Sequence, residues 1–504
     1  MSKYIIAHDL GTSGNKATLF STDGKMIDSI VCPYDTHYFN QGWAEQHPED
    51  WWQAVCSTTK AMAARVNQED IIAMSFSGHM MGCLPVDIHG KPLREHILWA
   101  DMRATEEEAE IGAKVDLMDF YHIVGHRLSA SYTLAKILWI KKNEPQIYAK
   151  TYKFLHAKDY MVYRLTGKMM TDYSDASGSN MFDLNEFVWS KKILDAAGID
   201  IEKLPDPMPS TTVAGYVLPE AAAECGLSTH TRVVIGAGDG ATATVGAGCI
   251  REGQAYACLG TSAWVGCSTK HMVCDNNRIL TNWAHAVPGL VMPLSTMQAA
   301  GGSFSWVKNH ICLSETEQAK AAGKSPYSLI NDEIASAPAG SNGLLFLPYL
   351  MGERSPRWNT EAKGCFIGLK MTNTRADMLR SVIEGIGFNL RVILDTQVDC
   401  GISIQELSLV GGMAQGAIER QILADIWNRP VLQLNYIEEA GSIGAAIIAG
   451  VGVGEFASFD AVSSFIHPVS VQQPDPSVSQ VYSKQYQAFN HAYKVLCPVF
   501  SELS

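Results

Sequence analysis

Two acidic residues in this chain stand where a carboxylate can do chemistry. Asp9 follows an apolar run at 4–7 and precedes Gly11-Thr12-Ser13-Gly14. A carboxylate so placed can hold a magnesium ion or its waters, while the Thr and Ser hydroxyls and the turn's N–H groups meet phosphate oxygens. The competing reading is an Asp that caps its own turn. Asp239 follows Val233-Val234-Ile235-Gly236-Ala237-Gly238, a buried strand running into a glycine turn. An acid at such a cleft floor can take a proton from a substrate hydroxyl, or it can simply bond its own backbone. Trp99-Ala100-Asp101-Met102-Arg103 and Trp43-Ala44-Glu45-Gln46 combine an aromatic face with charge, as sugar sites do. A partly buried Trp beside a surface ion pair would look the same.

The elements around these residues narrow the choice. Residues 4–7, 16–20 and 26–32 read as strands, with Asp23-Gly24 as a hairpin turn between the second and third. A helix over 48–65 opens on Pro48, and a buried strand follows over 71–75, ending at Gly78. The glycine-rich turn therefore joins two strands, whereas a Walker loop or a dinucleotide fingerprint joins a strand to a helix. Gly323-Lys324-Ser325 ends like a Walker loop, but position 318 is Gln where the motif needs Gly. Gly236-Ala237-Gly238-Asp239-Gly240-Ala241 fits a loose dinucleotide pattern, which would make the protein a dehydrogenase. The acid such a site needs about 20 residues on would be Glu252, and that residue lies in a polar turn.

The turn recurs. Asp9-Leu10-Gly11-Thr12-Ser13-Gly14 is echoed by Cys258-Leu259-Gly260-Thr261-Ser262-Ala263, an offset of 249 in a chain of 504. Strand-like runs flank both copies. A duplicated domain, with two phosphate-cradling hairpins facing one cleft, explains the half-chain offset. Only the first copy keeps its carboxylate. The second half alternates strand and helix: helix from Gly301 through 308, strand over 344–350, helix over 375–391, strand over 407–410, helix over 416–428, a loop over 470–479 and a last helix over 482–495. The class is α/β throughout.

Composition sets outer limits. A chain of 504 residues exceeds one core, since single cores stop growing near ~250–300 residues. With 52 acidic against 39 basic residues the net charge is −13, which argues against a nucleic-acid partner. No run reaches the ~20 apolar residues that span a bilayer, so no membrane association is expected. Twelve scattered cysteines form no CxxC pair. A reduced, cytoplasmic protein with buried thiols is the expectation.

With these residues in hand the chain resembles the FGGY family of carbohydrate kinases, within the actin-like ATPase superfamily, over almost its whole length. Residues 9–16 resemble the first phosphate motif and Leu259-Gly260-Thr261-Ser262 the second. Ser131-x-Thr133-x-x-Lys136-Ile137-x-Trp139-Ile140 resembles the first family signature. Gly364-x-Phe366-x-Gly368-Leu369, with Asp377-Met378 and Ser381-Val382-Ile383-Glu384-Gly385, resembles the second. Val410-Gly411-Gly412-Met413-Ala414 resembles the adenosine motif. Residues 42–52 and 347–356 are most similar to the branch that acts on D-xylulose.

The resemblance implies two duplicated ribonuclease-H-like domains, a sugar-binding one over 1–246 and a nucleotide-binding one over 247–504. It implies a kinase using ATP and Mg2+ on a ketopentose, D-xylulose first, with another ketose or polyol as the alternative and a non-catalytic sensor behind both. It makes Asp239 the general base and a further candidate for the metal, and Asp9 the residue assisting magnesium. Gly11, Thr12, Ser13, Lys16, Gly260 and Thr261 would cradle phosphates. Gly301, Gly302, Gly411, Gly412 and Met413 would lie near the nucleotide, and His79, Met80, Met81, Trp99 and Asp101 near the sugar. A homodimer is expected from the family alone. Two departures bear on the sugar. The xylulose branch reads Gly-Gln-Met-His-Gly where this chain has Gly78-His79-Met80-Met81-Gly82, and many relatives follow the catalytic Asp with Asn or Gln where this chain has Gly240. Glycerol-phosphorylating members carry Arg-Glu at the place of Met80-Met81, which disfavours glycerol.

Overall fold

The computed structural model describes residues 3–503. Its first lobe is built on β1 (Tyr4–Leu10), β2 (Gly14–Ser21) and β3 (Met26–Pro33), then helix α1 (Pro48–Ala63) and β4 (Ile71–Gly78). Helices α2 (Thr133–Asn143) and α3 (Ala157–Thr166) follow, with β5 (Val213–Tyr216), β6 (Arg232–Val234), the short β7 (Ala237–Gly238) and α4 (Asp239–Gly246). The second lobe runs β8 (Ala255–Leu259), β9 (Ala263–Cys267), β10 (Thr281–Ala284), β11 (Val291–Met297), α5 (Gly301–His310) and α6 (Arg375–Asp399). It closes with β12 (Leu407–Val410), α7 (Ala417–Trp427), β13 (Val431–Leu434), α8 (Ala440–Gly452), β14 (Pro468–Gln472) and α9 (Ser479–Glu502).

The two sheets carry one topology. The first has the order β5-β6-β4-β1-β2-β3, with β7 also on β4; the second has β14-β13-β12-β8-β9-β11, with β10 added at its edge. In both, the hairpin strands pair antiparallel and the next two strands add in parallel. An antiparallel strand ends each series. The echo at 9 and 258 falls at matching ladder positions. Asp9 lies between Lys16 and Ser77, and Cys258 lies between Trp264 and Val410.

The helices form for reasons visible in the chain. Helix α1 begins on Pro48 with Glu49 and Asp50 in its first turn, and buries Trp51, Trp52, Val55 and Met62 against Ile6, Leu19 and Phe76 of the first sheet. Helix α6 opens with a capping box between Thr374 and Asp377. Its Leu379, Val382 and Ile386 pack with Ala257, Leu259 and Leu409 of the second sheet. Between the sheets, α4 and α8 share a third core with Ile5, Ala7 and Ala73. A Cβ on Gly246 would land on the carbonyl of Ala440, and one on Gly444 on that of Thr242, so the two helices touch backbone to backbone.

Some sequence expectations shift. Helix α6 continues to Asp399, and α9 runs from Ser479 to Glu502 with Pro498 inside it. The strand expected over 344–350 is confined to Leu345–Leu347. Residues 468–472, placed partly in a loop, form β14; it lies at the sheet edge, where a Pro such as Pro468 is tolerated. Gly323, in the Walker-like stretch, is the left-handed cap of a helix over Leu313–Ala322. All twelve cysteines are free thiols, and no helix among the described residues is long and apolar enough to cross a membrane.

Candidate active site

The ends of β1, β4 and β7 bring the two acids to one place. Asp9 and Ser77 are ladder neighbours, and the Ser77 hydroxyl donates to Asp9 Oδ1 at 2.8 Å. Gly238 pairs with Gly78, so Asp239 emerges beside the same strand end and starts α4. Thr242, one turn on, donates to the Ser77 hydroxyl at 2.9 Å and lies 3.0 Å from the Asp239 main-chain carbonyl, while the Asp239 carboxylate accepts from Gly240 N at 2.7 Å. Asp239 is open to water yet deep between the lobes. That environment, then the Asp9 carboxylate, pushes its acid up to about 7.

Asp9 Oδ2 receives no hydrogen bond among the described residues, and it lies 3.0 Å from where a Cβ on Gly441 would sit. The first turn of α8 thus abuts this carboxylate from the other lobe, and a side chain at 441 would press on it. An open carboxylate oxygen is the donor that magnesium prefers, so the site fits that ion. The Lys16 ammonium donates to the Glu438 carbonyl at 2.6 Å, a bond that ties the lobes together.

The hairpins face the same cleft. In the first, Gly11 N–H donates to Gly14 O at 3.0 Å, and the Thr12 carbonyl accepts from Gln46 at 2.6 Å, leaving Thr12 and Ser13 at the surface of the turn. In the second, the carbonyls of Gly260 and Thr261 accept from the N–H groups of Gly301, Ala300 and Gly302 at 2.9–3.0 Å. Gly301 has its Cβ position 2.5 Å from Gly260 O, and a Cβ on Gly411, at φ +90°, would lie 2.8 Å from the Leu259 backbone. Met413 Sδ lies 3.5 Å from the Cβ position of Gly301. Gly412 has open space beside it. Gly260, Thr261, Gly301, Gly302, Gly411 and Met413 are therefore close neighbours around the second hairpin.

On the sugar side the expected residues divide. Met80 packs under Gly238, and Met81 takes a left-handed φ of +66°. The Trp99 indole donates to Thr12 Oγ1 at 3.0 Å, which joins the aromatic face to the first hairpin. His79 is buried against Trp51 and His96, with burial pushing its imidazole down to about 3, so it stays neutral. Neither of its ring nitrogens has a partner among the described residues. Asp101 lies off the cleft: fully buried, it accepts from Ala44 N at 2.6 Å and clamps Arg103 at 2.7–2.9 Å. The structure makes it a support for the Trp99 segment rather than a group free for a ligand. Sequence reasoning missed Ser77, Thr242 and Gly441. Only Ser77, at the end of a strand and before a glycine, carried a local signal. A groove of about 680 Å³ between Gly253, Thr269 and Cys400 lies at the opposite end of the second sheet and gathers none of these groups.

The model of the FGGY family of carbohydrate kinases matches this chain in both halves, its N-terminal domain over residues 4–246 and its C-terminal domain over 255–453. The chain belongs to the FGGY family of carbohydrate kinases. It is a phosphotransferase with an alcohol group as acceptor, on an actin-like ATPase fold. A xylulose kinase of Lactococcus lactis subsp. lactis is 32% identical over 497 residues, 97% of this chain and 96% of that one. A gluconokinase of Bacillus subtilis is 30% identical over 510 residues, 100% and 96% of the two chains. Among solved structures, a ligand-bound xylulose kinase and a gluconate kinase, both from Lactobacillus acidophilus, each superpose with a TM-score of 0.92 at 26% identity and cover 100% of both chains.

Proposed function

We propose that this FGGY kinase transfers the terminal phosphoryl group of ATP to D-xylulose, giving D-xylulose 5-phosphate. The observation that carries the reading is Asp239, a carboxylate at the strand ends whose proton affinity is raised in part by the nearby Asp9 carboxylate, with the Gly-Thr-Ser hairpins at the ends of neighbouring strands. In this reading Asp239 orients the sugar hydroxyl and takes its proton as the oxygen attacks the phosphorus. The bond to the departing ADP breaks in the same displacement. Thr12, Ser13, Gly260 and Thr261 hold the donor's phosphates, and Gly301, Gly302, Gly411, Gly412 and Met413 hold its nucleoside end. Asp9 Oδ2 would bind magnesium or its waters; when bound, the ion offsets the phosphates' negative charge. Met80, Met81 and Trp99 supply the sugar wall. The xylulose kinases among its relatives support this choice of sugar.

One observation favours a second reading, a sugar acid. The Arg354 guanidinium reaches from the second lobe to 5.8 Å from the Trp99 ring, and it has no carboxylate within ion-pair distance among the described residues. A part-buried guanidinium without an ion-pair partner fits a ligand that brings a carboxylate, and gluconokinases are among the relatives. Coupled ADP release over a panel of D-xylulose, other pentuloses, pentitols and D-gluconate tests both. The first reading expects D-xylulose to give the highest kcat/KM, and a clear preference for D-gluconate would replace it with the second.

A further inference from the structure

The family signature at 131–140 has no part in the site described so far, yet one of its side chains is a buried cation. Lys136, on the first turns of α2, is fully buried and forms no ion pair with any described residue. Burial pushes its ammonium down to about 7, against the pull of Asp101 and Cys83 and with Arg103 opposing them. A cation in such a place is costly unless its hydrogen bonds are used.

They are used on carbonyls. Lys136 Nζ donates to Met81 O at 2.9 Å and to Ser131 O. On the same helix, Thr133 Oγ1 donates to Gly82 O at 3.0 Å. Met81 is the residue held at φ +66°, a conformation that favours glycine. It lies three residues beyond Gly78, the ladder partner of Gly238 beside Asp239. Strained backbone of this kind persists only where its surroundings hold it.

We propose that Lys136 and Thr133 are positioning residues that clamp the Met81–Gly82 backbone from behind and so set the affinity and selectivity of the sugar wall. The proposal rests on reading residues 79–82 as that wall. The clamp grips main-chain oxygens, so it acts on whichever side chain position 81 carries. In this chain that position holds Met where the xylulose branch holds His, so the same clamp presents a thioether where others present an imidazole.

The test is steady-state kinetics of Lys136→Met, using whichever sugar the wild type turns over fastest. We expect the sugar KM to rise about tenfold, equivalent to ~1.4 kcal/mol, with the ATP KM within about twofold. Adding Met81→Asn, whose side chain tolerates positive φ, is expected to recover part of that loss. Thr133→Val, a nearly isosteric change, should shift the sugar KM in the same direction by less, and it covers the case in which Lys136→Met does not fold. An unchanged sugar KM in folded Lys136→Met overturns the proposal. So do equal rises in both KM values with no recovery by Met81→Asn, and, if Lys136→Met fails to fold, an unchanged sugar KM in Thr133→Val. Wild-type turnover settles the underlying reading separately, because a wild type that phosphorylates no sugar fails before any variant is compared.

Discussion

A carboxylate can take a proton from a hydroxyl only while it is ionised, and Asp239 sits where ionisation is costly. Its acid is pushed up from 3.8 to about 7, first by desolvation deep between the lobes, although water still reaches the side chain, and then by the Asp9 carboxylate. Activity should therefore fall as pH drops through about 7, where an unperturbed aspartate would hold its charge to ~4. Asp239→Asn should lower kcat by roughly 10²–10⁴ at pH 8, and near-wild-type turnover would remove Asp239 as the base. The same shift has a stability counterpart. Between the unfolded and folded values the folded state binds more protons than the unfolded chain, so stability falls as pH rises through that window. Asp239→Asn removes this penalty. Its Tm should exceed the wild type's at pH 8, and the gain should shrink towards pH 4; a thermal-shift series across that range would show it, and a gain independent of pH would refute the assignment.

Two helices carry the acids' geometry. Helix α4 begins at Asp239, and the first turn of α8 abuts Asp9. They meet at Gly246 and Gly444 with no room for a methyl group. Gly246→Ala should therefore act on both lobes: an overpacked contact costs ~1–3 kcal/mol, and any relief by separation moves Asp239 relative to Asp9. We expect a lower Tm together with a lower kcat, whereas loss of stability with kcat intact would show that the helices do not set the site. Neither glycine was singled out in the sequence, because what they meet lies about 200 positions away in the chain. The hairpins were legible, since Gly-Thr-Ser with flanking strands is a local pattern, and both copies lie where the repeat placed them. The strand at Pro468–Gln472 was not, because its pairing comes from Val431–Leu434 and its composition is that of a loop. Asp101 misled for the same reason: its sequence neighbours suggested a ligand site, but its partners are Ala44 and Arg103.

At the scale of the whole molecule, the two copies of one topology have diverged at the place that matters most. The first lobe keeps Asp9 at the ladder position where the second has Cys258, whose thiol burial and the two acids push up to about 12. A third carboxylate there would sit among like charges; a neutral thiol does not add to the repulsion that already raises Asp239. In the proposed reading the metal-facing charge belongs to one lobe and the nucleotide cluster to the other, so the donor would bridge them. A ligand that binds only the folded state at 100 times its Kd adds about 2.7 kcal/mol of stability. ATP with magnesium should thus raise the Tm more than ATP with EDTA, and Asp9→Asn should abolish that difference. Sugar alone should still raise the Tm of Asp9→Asn as it does that of the wild type, because Met80, Met81, Trp99 and Asp239 remain. Differential scanning fluorimetry of the two proteins with each ligand reads all of these shifts. Retention of the full magnesium-dependent shift by Asp9→Asn would mean that the metal is held by groups other than Asp9.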